Sequence, residues 1–193
     1  MSTAETPRRG LSMVGLIFLA CLVPFVVAWL LYYFWPPQAR MNYGSLIGTR
    51  PLPAARLARP DGSPFQFSDL RGQWILLQID SSGCAEGCLR KLYQMRQVRL
   101  SQGRNLGRIE RVWLVHDTGP VSETALRNFE GTHVARAGAA AISAFPAEGD
   151  PSDHIYLADP MGSLMLRFPK DADPSRMKKD LERMLKLSWR PSG

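Results

Sequence analysis

The longest apolar stretch of the chain covers residues 11–35 and contains no charged residue. A helix of this length is long enough to cross a hydrocarbon core of about 30 Å. Trp29, Tyr33 and Trp35 crowd the C-terminal end of the stretch, as is typical of the aromatic belt at a membrane interface. The pattern therefore predicts a transmembrane helix over 11–35, preceded by a short tail, 1–10.

Arg8 and Arg9 directly precede the apolar stretch, which favours a cytoplasmic tail and a C-terminal domain on the opposite side of the membrane. No convincing small-x-small cleavage site follows, so the sequence favours an uncleaved anchor over a signal peptide. Residues 36–58 are rich in Pro, Ala, Arg and Gly and are predicted to form a linker. Residues 59–193 are then long enough for one domain with a core of its own.

Two nearly continuous apolar runs in this domain, Trp74–Ile79 and Ile109–Val115, are typical of strands buried on both faces. Apolar residues recur at helical spacing from Cys88 to about Gln102 and again from Pro174 to Trp189. The remaining predicted elements are a short helix capped by Ser122, and a hairpin of the strands His154–Ala158 and Leu164–Phe168 that turns at Asp159–Gly162. Residues 132–153 give no clear pattern.

Strands that alternate with helices predict an α/β fold, with a central mixed sheet and helices on both faces. Functional groups in such sheets gather at the carboxyl ends of the strands. Cys84 and Cys88 follow the first central strand, and His116 and Asp117 follow the second. We therefore expect these four residues to lie near one another.

The formal charge of +7 suggests an acidic partner or a membrane surface. The basic residues are scattered and no dense basic run with interleaved aromatics is present, so the sequence predicts no nucleic-acid binding. Cys21 lies in the apolar helix, which leaves Cys84 and Cys88 as the only pair in the domain. Two thiols at this spacing can form a disulfide, exchange with another disulfide or hold a soft metal ion.

The domain resembles the thioredoxin-like superfamily and, within it, the Sco/SenC family of membrane-anchored copper proteins. Three features carry the resemblance: the entry Phe65-x-Phe67-x-Asp69-Leu70-Arg71-Gly72-x-Trp74, the CxxxC spacing of Cys84 and Cys88, and the Asp-Pro-x-Gly hairpin within 156–168. The resemblance implies a thioredoxin-like domain that binds one copper ion. It also implies a role in delivering copper to the binuclear centre of cytochrome c oxidase, or in keeping the cysteines of that centre reduced.

The same resemblance implies Cys84 and Cys88 as copper ligands, and the start of a helix favours their thiolates. The family places its histidine ligand some nine residues before the hairpin proline, where this chain has Pro151. His154 is the nearest histidine and the expected third ligand, with His116 as the alternative. Ala85 and Leu89 stand where the family commonly has prolines, which indicates a divergent member.

Three functions remain open at this point. The first is a Sco-like assembly factor for cytochrome c oxidase, whose partners are the membrane and an oxidase subunit or other assembly factors. The second is a membrane-tethered thiol–disulfide oxidoreductase in which Cys84 attacks and Cys88 resolves. The third is a non-catalytic thioredoxin-like scaffold. The expected location is the bacterial inner membrane with the domain in the periplasm, and the sequence leaves the oligomeric state open.

Overall fold

The computed structural model describes residues 9–34 and 42–188. The chain divides into two units, residues 1–41 and 42–193. In the first unit, helix α1 (Arg9–Phe34) contains Pro24, and its stretch Gly15–Phe34 has a mean hydropathy of 2.4 with exposed side chains. By length and composition this stretch is a candidate membrane span, in agreement with the predicted apolar helix. The predicted tail up to residue 8, and Trp35, lie outside the described residues.

The second unit contains eight strands and four helices among residues 42–188. The strands are β1 (Ser45–Pro51), β2 (Leu57–Ala58), β3 (Pro64–Phe65), β4 (Trp74–Asp80), β5 (Ile109–Val115), β6 (Thr132–Arg136), β7 (Ile155–Ala158) and β8 (Ser163–Arg167). The helices are α2 (Glu86–Leu100), α3 (Glu123–Asn128), α4 (Ala139–Ile142) and α5 (Pro174–Leu187), with 3-10 turns at Phe67–Leu70, Gly103–Arg108 and Pro151–Asp153. Trp189, where the last helix was predicted to end, lies outside the described residues.

The eight strands form one mixed sheet in the order β1-β8-β7-β4-β5-β6-β2-β3. β4 and β5 are parallel, as are β5 and β6, whereas the remaining pairs are antiparallel. This arrangement confirms the predicted α/β class with a mixed central sheet. Because β4 and β5 are adjacent and parallel, their carboxyl ends and the loops that follow lie side by side.

Each face of the sheet has its own apolar core. On one face Trp74 and Leu76 of β4 pack with the helices α2, α3 and α5. On the other face Ile75 and Leu77 pack with α4 and the 3-10 turn at Phe67–Leu70. The alternation along β4 follows from the two-residue period of a strand, and it accounts for the continuous apolar run of the sequence.

Two parts of the domain differ from the sequence-based prediction. The predicted linker, 36–58, contains β1 and β2, so the domain begins near residue 42 rather than 59. β1 is an edge strand whose side chains are mostly exposed, and its pairing with β8 joins Ser45 to Arg167 through the backbone. The segment without a clear pattern, 132–153, contains β6. β1 and β6 have no apolar run, because backbone pairing with a strand that is distant in the sequence holds each of them in place.

Candidate functional site

Cys84 and Cys88 form a disulfide in the connection between β4 and α2, with their Cα atoms 5.0 Å apart. β4 ends at Asp80, and the amide of Cys84 donates to the carbonyl oxygen of Ser81, which closes a tight turn. Cys84 has a φ of 47°, in the left-handed region that side chains other than glycine rarely adopt. The left-handed turn reverses the chain over four residues, so that the first sulfur meets the second on the opening turn of α2.

The disulfide lies at the surface of the core rather than in open solvent. Cys84 is 4% exposed and Cys88 is 1% exposed. Cys88 is in the first turn of α2, and Ala85 at the N-cap offers no side-chain acceptor to the free amides of that turn. Amides and dipole at a helix N-terminus stabilise negative charge, so they favour a thiolate when the pair is reduced.

Gln78 lies beneath the disulfide in the middle of β4 and is fully buried. Its Nε2 donates to the sulfur of Cys88 at 3.3 Å, whereas its Oε1 has no partner among the described residues. Sequence reasoning did not identify this residue, although a single glutamine in the apolar run WILLQI is a usable signal. A buried amide with an unmet acceptor costs stability, and its one contact here is with the candidate reactive sulfur.

We predict that Gln78→Leu leaves the free energy of unfolding unchanged or raises it by about 1 kcal/mol, because it removes the unpaired oxygen from the core. The same change should slow exchange of the reduced pair with a small aromatic disulfide, since the sulfur loses its donor. Urea unfolding and stopped-flow absorbance measure the two effects.

Gln94→Leu is the matched control for this prediction. The Nε2 of Gln94, another buried glutamine, donates to the carbonyl oxygen of Ala172 at 2.8 Å. Loss of this hydrogen bond should lower the free energy of unfolding by about 1–3 kcal/mol, because the buried carbonyl of Ala172 is left unpaired. Equal losses in both variants would contradict the role assigned to Gln78.

The loop after β5 is hydrogen-bonded to the loop between β4 and α2, which contains Cys84. The carboxylate of Asp117 accepts from the backbone N–H of Ser82 at 3.1 Å, and the N–H of Ser122 donates to the carbonyl of Ser82 at 2.9 Å. Arg136 in turn donates to the carbonyl oxygens of Asp117 and Gly119, each at 2.8 Å. Hydrogen bonding from Ser82, first from its side chain and then from its backbone, lowers the pKa of Asp117, and His116 adds to the effect.

Because the pKa of Asp117 is lowered in the folded protein, its contribution to stability is present above the ordinary aspartate pKa of about 3.9. That contribution is lost as the pH falls through the lowered value. Asp117→Asn should therefore lose less stability than the wild type when the pH falls from 6 to 3, as thermal unfolding would show. Glu182→Gln on α5 controls for the loss of one negative charge. If Asp117→Asn lost as much stability as the wild type over this pH range, the stabilising role of the hydrogen bond between Asp117 and Ser82 would be contradicted.

The two histidines predicted as copper ligands form no hydrogen bond with Cys84 or Cys88 among the described residues. His154 is buried, with Nδ1 2.9 Å from the carbonyl oxygen of Phe168 and Nε2 3.4 Å from that of Glu148. The 3-10 turn Pro151–Asp153 ends at His154 and directs its ring toward these carbonyls. His116 is exposed after β5. Within 9–34 and 42–188 no group of three or more His, Cys, Asp or Glu is arranged to hold a metal ion.

A groove of about 190 Å³ opens beside Cys88. Lys91 lies along it, with Nζ 2.8 Å from Oδ2 of Asp80, and donates to the carbonyl oxygens of Ile79 and Ser152. These bonds tie the 3-10 turn at Pro151–Asp153 to the end of β4. The groove therefore lies beside Cys88, between the first turn of α2 and this 3-10 turn.

The fold is also that of several solved structures of low sequence identity. Yeast Sco1 with copper bound is 18% identical, with a TM-score of 0.60, and the match covers 74% of this chain and 98% of that one. Bradyrhizobium japonicum ScoI with copper bound is 19% identical, with a TM-score of 0.53 over 70% and 98% of the chains. The thioredoxin domain of a Bacteroides vulgatus thiol-disulfide oxidoreductase is 16% identical, with a TM-score of 0.52 over 72% and 99%.

No curated protein matches the chain by sequence. The expected likeness to Sco and SenC proteins is confirmed at the level of the fold, because Sco structures superpose on most of the domain. A sequence model for "Transmembrane-like, thioredoxin-like, C-terminal domain" matches residues 74–188, which is more than half of the chain. The matched stretch runs from the first residue of β4 to the residue after α5. The chain therefore belongs to the family of transmembrane-like, thioredoxin-like C-terminal domains.

Proposed function

We propose that this protein is a membrane-anchored, Sco-like assembly factor that reduces the disulfide of the copper centre of cytochrome c oxidase through Cys84 and Cys88. The observation that carries the proposal is the position of the pair. Its two sulfurs are within bonding distance at the start of a helix, beside a groove open to solvent. The apolar helix α1 would anchor the domain at the bacterial inner membrane, facing the periplasm.

The exchange begins with the pair reduced by an external dithiol. The thiolate of Cys84 attacks one sulfur of the target disulfide, so that the target S–S bond breaks and one target thiolate leaves. The thiolate of Cys88 then attacks the sulfur of Cys84, which forms the Cys84–Cys88 disulfide and releases the second target thiolate. Two electrons and two protons pass from the pair to the target. We assign the first attack to Cys84, which lies in the loop before α2, because the sulfur of Cys88 faces Gln78 in the interior.

Copper transfer is the second candidate function, with the metal as cargo. Two thiolates four residues apart suit soft Cu(I), and the solved Sco structures named above hold copper. The donor set is incomplete in the described part of the chain, because both nitrogens of His154 face backbone carbonyls. The thiol exchange described above involves no copper.

A direct test uses the full chain in neutral detergent, reduced and then freed of reductant under argon. It is mixed with the soluble copper-centre domain of an oxidase subunit, in which the two cysteines are oxidised. Alkylation followed by mass spectrometry counts the thiols on both proteins. We expect one target disulfide to be reduced for each Cys84–Cys88 disulfide formed.

The same experiment separates the three candidates. Target reduction no higher than with the Cys84→Ser/Cys88→Ser variant would overturn the exchange mechanism. If the reduced wild-type protein shows no exchange but binds one Cu(I) per chain, copper transfer replaces exchange as the function. If neither activity is found but the two proteins copurify, the scaffold function replaces both.

A further inference from the structure

Four arginines surround a second groove, of about 400 Å³, on the face of the sheet that carries α2, α3 and α5. It is lined by Arg96 and Arg99 of α2, Arg111 of β5, Arg127 of α3, and residues of the loop 128–131. Glu130 is the one carboxylate among these lining residues, all of which lie within 42–188. Arg96 is eight residues beyond Cys88, about 12 Å along the helix axis. The groove is therefore separate from the cysteine site and positively charged.

Arg111 lies at the bottom of this groove, and its side chain has donors to spare. The residue is 3% exposed, on a central strand of the sheet. Its Nη2 donates to the carbonyl oxygen of Glu130 at 2.7 Å, but Nε and Nη1 have no partner in the described part of the chain. A buried guanidinium whose Nε and Nη1 make no hydrogen bond is costly unless its charge is balanced by a nearby anion.

The surrounding charges increase this cost. Burial, followed by repulsion from Arg99 and Arg96, lowers the pKa of Arg111 to about 10, while Glu110 opposes the shift. Arg111 therefore remains charged at neutral pH. Glu110 relieves the repulsion only in part, because its Oε1 is 3.9 Å from Nη2 of Arg99 and its Oε2 is 3.3 Å from His133.

Arg96 and Arg99 make few contacts, which leave most of their donors free. Nη1 of Arg96 donates to the carbonyl oxygen of Asn128 at 3.3 Å. Nε of Arg99 donates to the carbonyl oxygen of Ile109 at 2.6 Å. A guanidinium has five N–H donors, so each of these side chains can still bind an anion in the groove.

Arg127 completes the rim of the groove. Its Nη2 is 3.1 Å from Oε2 of Glu123, in an exposed i,i+4 pair that contributes little to stability. An anion in the groove can therefore compete for this guanidinium at small cost.

We propose that the four-arginine groove binds a phosphate group, either free phosphate or the headgroup of an anionic phospholipid. Planar guanidinium forks match phosphate oxygens in pairs, and the negative charge of a phosphate offsets both the buried charge of Arg111 and the repulsion among the four arginines. The volume of the groove leaves room for a substituent on the phosphate. A lipid headgroup is one source, because the same chain carries a candidate membrane span in α1.

The test measures thermal unfolding of the oxidised full chain in dodecyl maltoside, with inorganic phosphate replacing chloride at constant ionic strength. We expect a saturable rise in Tm in the wild type. Arg111→Met should abolish the rise. The double variant Arg96→Gln/Arg127→Gln alters only exposed side chains, so we expect it to fold even if Arg111→Met does not. It should weaken phosphate binding about tenfold or more. Arg104→Gln, an exposed arginine outside the groove, should behave as the wild type.

A second arm identifies the source of the phosphate. Dihexanoyl phosphatidylglycerol and dihexanoyl phosphatidylcholine are titrated into the same micelles. Saturation by the glycerol lipid at lower concentration than inorganic phosphate supports a lipid headgroup, and the reverse order supports free phosphate. No saturable rise with any of these, or an equal loss in Arg104→Gln and Arg96→Gln/Arg127→Gln, would overturn the proposal. The result is independent of thiol exchange, because the pair stays oxidised throughout.

Discussion

Cys88→Ser is expected to stop thiol exchange after its first step and to accumulate a mixed disulfide between Cys84 and the target. The reason is that the second sulfur, which releases the target, is missing. Turnover should fall to the background of the double-serine variant. Non-reducing electrophoresis of the reaction with the oxidised copper-centre domain, followed by mass spectrometry of the adduct, measures the trapped species.

Cys21→Ser is the matched control, because Cys21 is a free cysteine in the apolar helix and plays no part in the exchange. It should exchange at the wild-type rate. Cys84→Ser should trap much less target, since the sulfur of Cys88 faces Gln78 in the interior. An adduct with Cys84→Ser but not with Cys88→Ser would reverse the order of attack. An adduct with neither would contradict the exchange mechanism.

Lys91→Met should lower the free energy of unfolding by about 2–3 kcal/mol, the largest loss we expect from a single surface-facing substitution. The side chains of Lys91 and Asp80 are only 12% and 18% exposed, and their charges are 2.8 Å apart. Methionine keeps the aliphatic stem but leaves the mostly buried carboxylate of Asp80 without its cation. It also frees the carbonyl of Ser152, so the wall of the groove beside Cys88 should loosen. Urea unfolding of the oxidised protein measures the loss.

Arg90→Met is the control for this prediction, since Arg90 is the neighbouring cation on the same helix. Its pairs with Glu86 and Asp171 are exposed, and such pairs contribute about 0–1 kcal/mol. A loss of stability in Arg90→Met as large as that in Lys91→Met would show that the buried Lys91–Asp80 pair stabilises the fold no more than an exposed pair does. Hydrogen exchange at the amides of Ser152 and Asp153 should rise in Lys91→Met alone.

The sequence by itself determined the elements with strong local signals. The uninterrupted apolar stretch predicted α1, and the two apolar runs predicted β4 and β5 to within a residue. Ser122 predicted the start of α3, and its side chain accepts from the amide of Ala125 at 3.3 Å. In each case neighbouring residues supply the free energy that selects the conformation, so the signal is readable without tertiary contacts.

Only the tertiary structure decided the features that depend on distant partners. β1 and β6 carry no apolar run, since backbone pairing with β8 and β5 holds them. Gln78 and Arg111 occur in apolar strand sequences, where the pattern marks them as interior but does not show what they face. The sheet register turns one toward the sulfur of Cys88 and the other into the four-arginine groove. The register is fixed by the summed packing of both cores and the whole ladder of backbone bonds, which no short window of sequence contains.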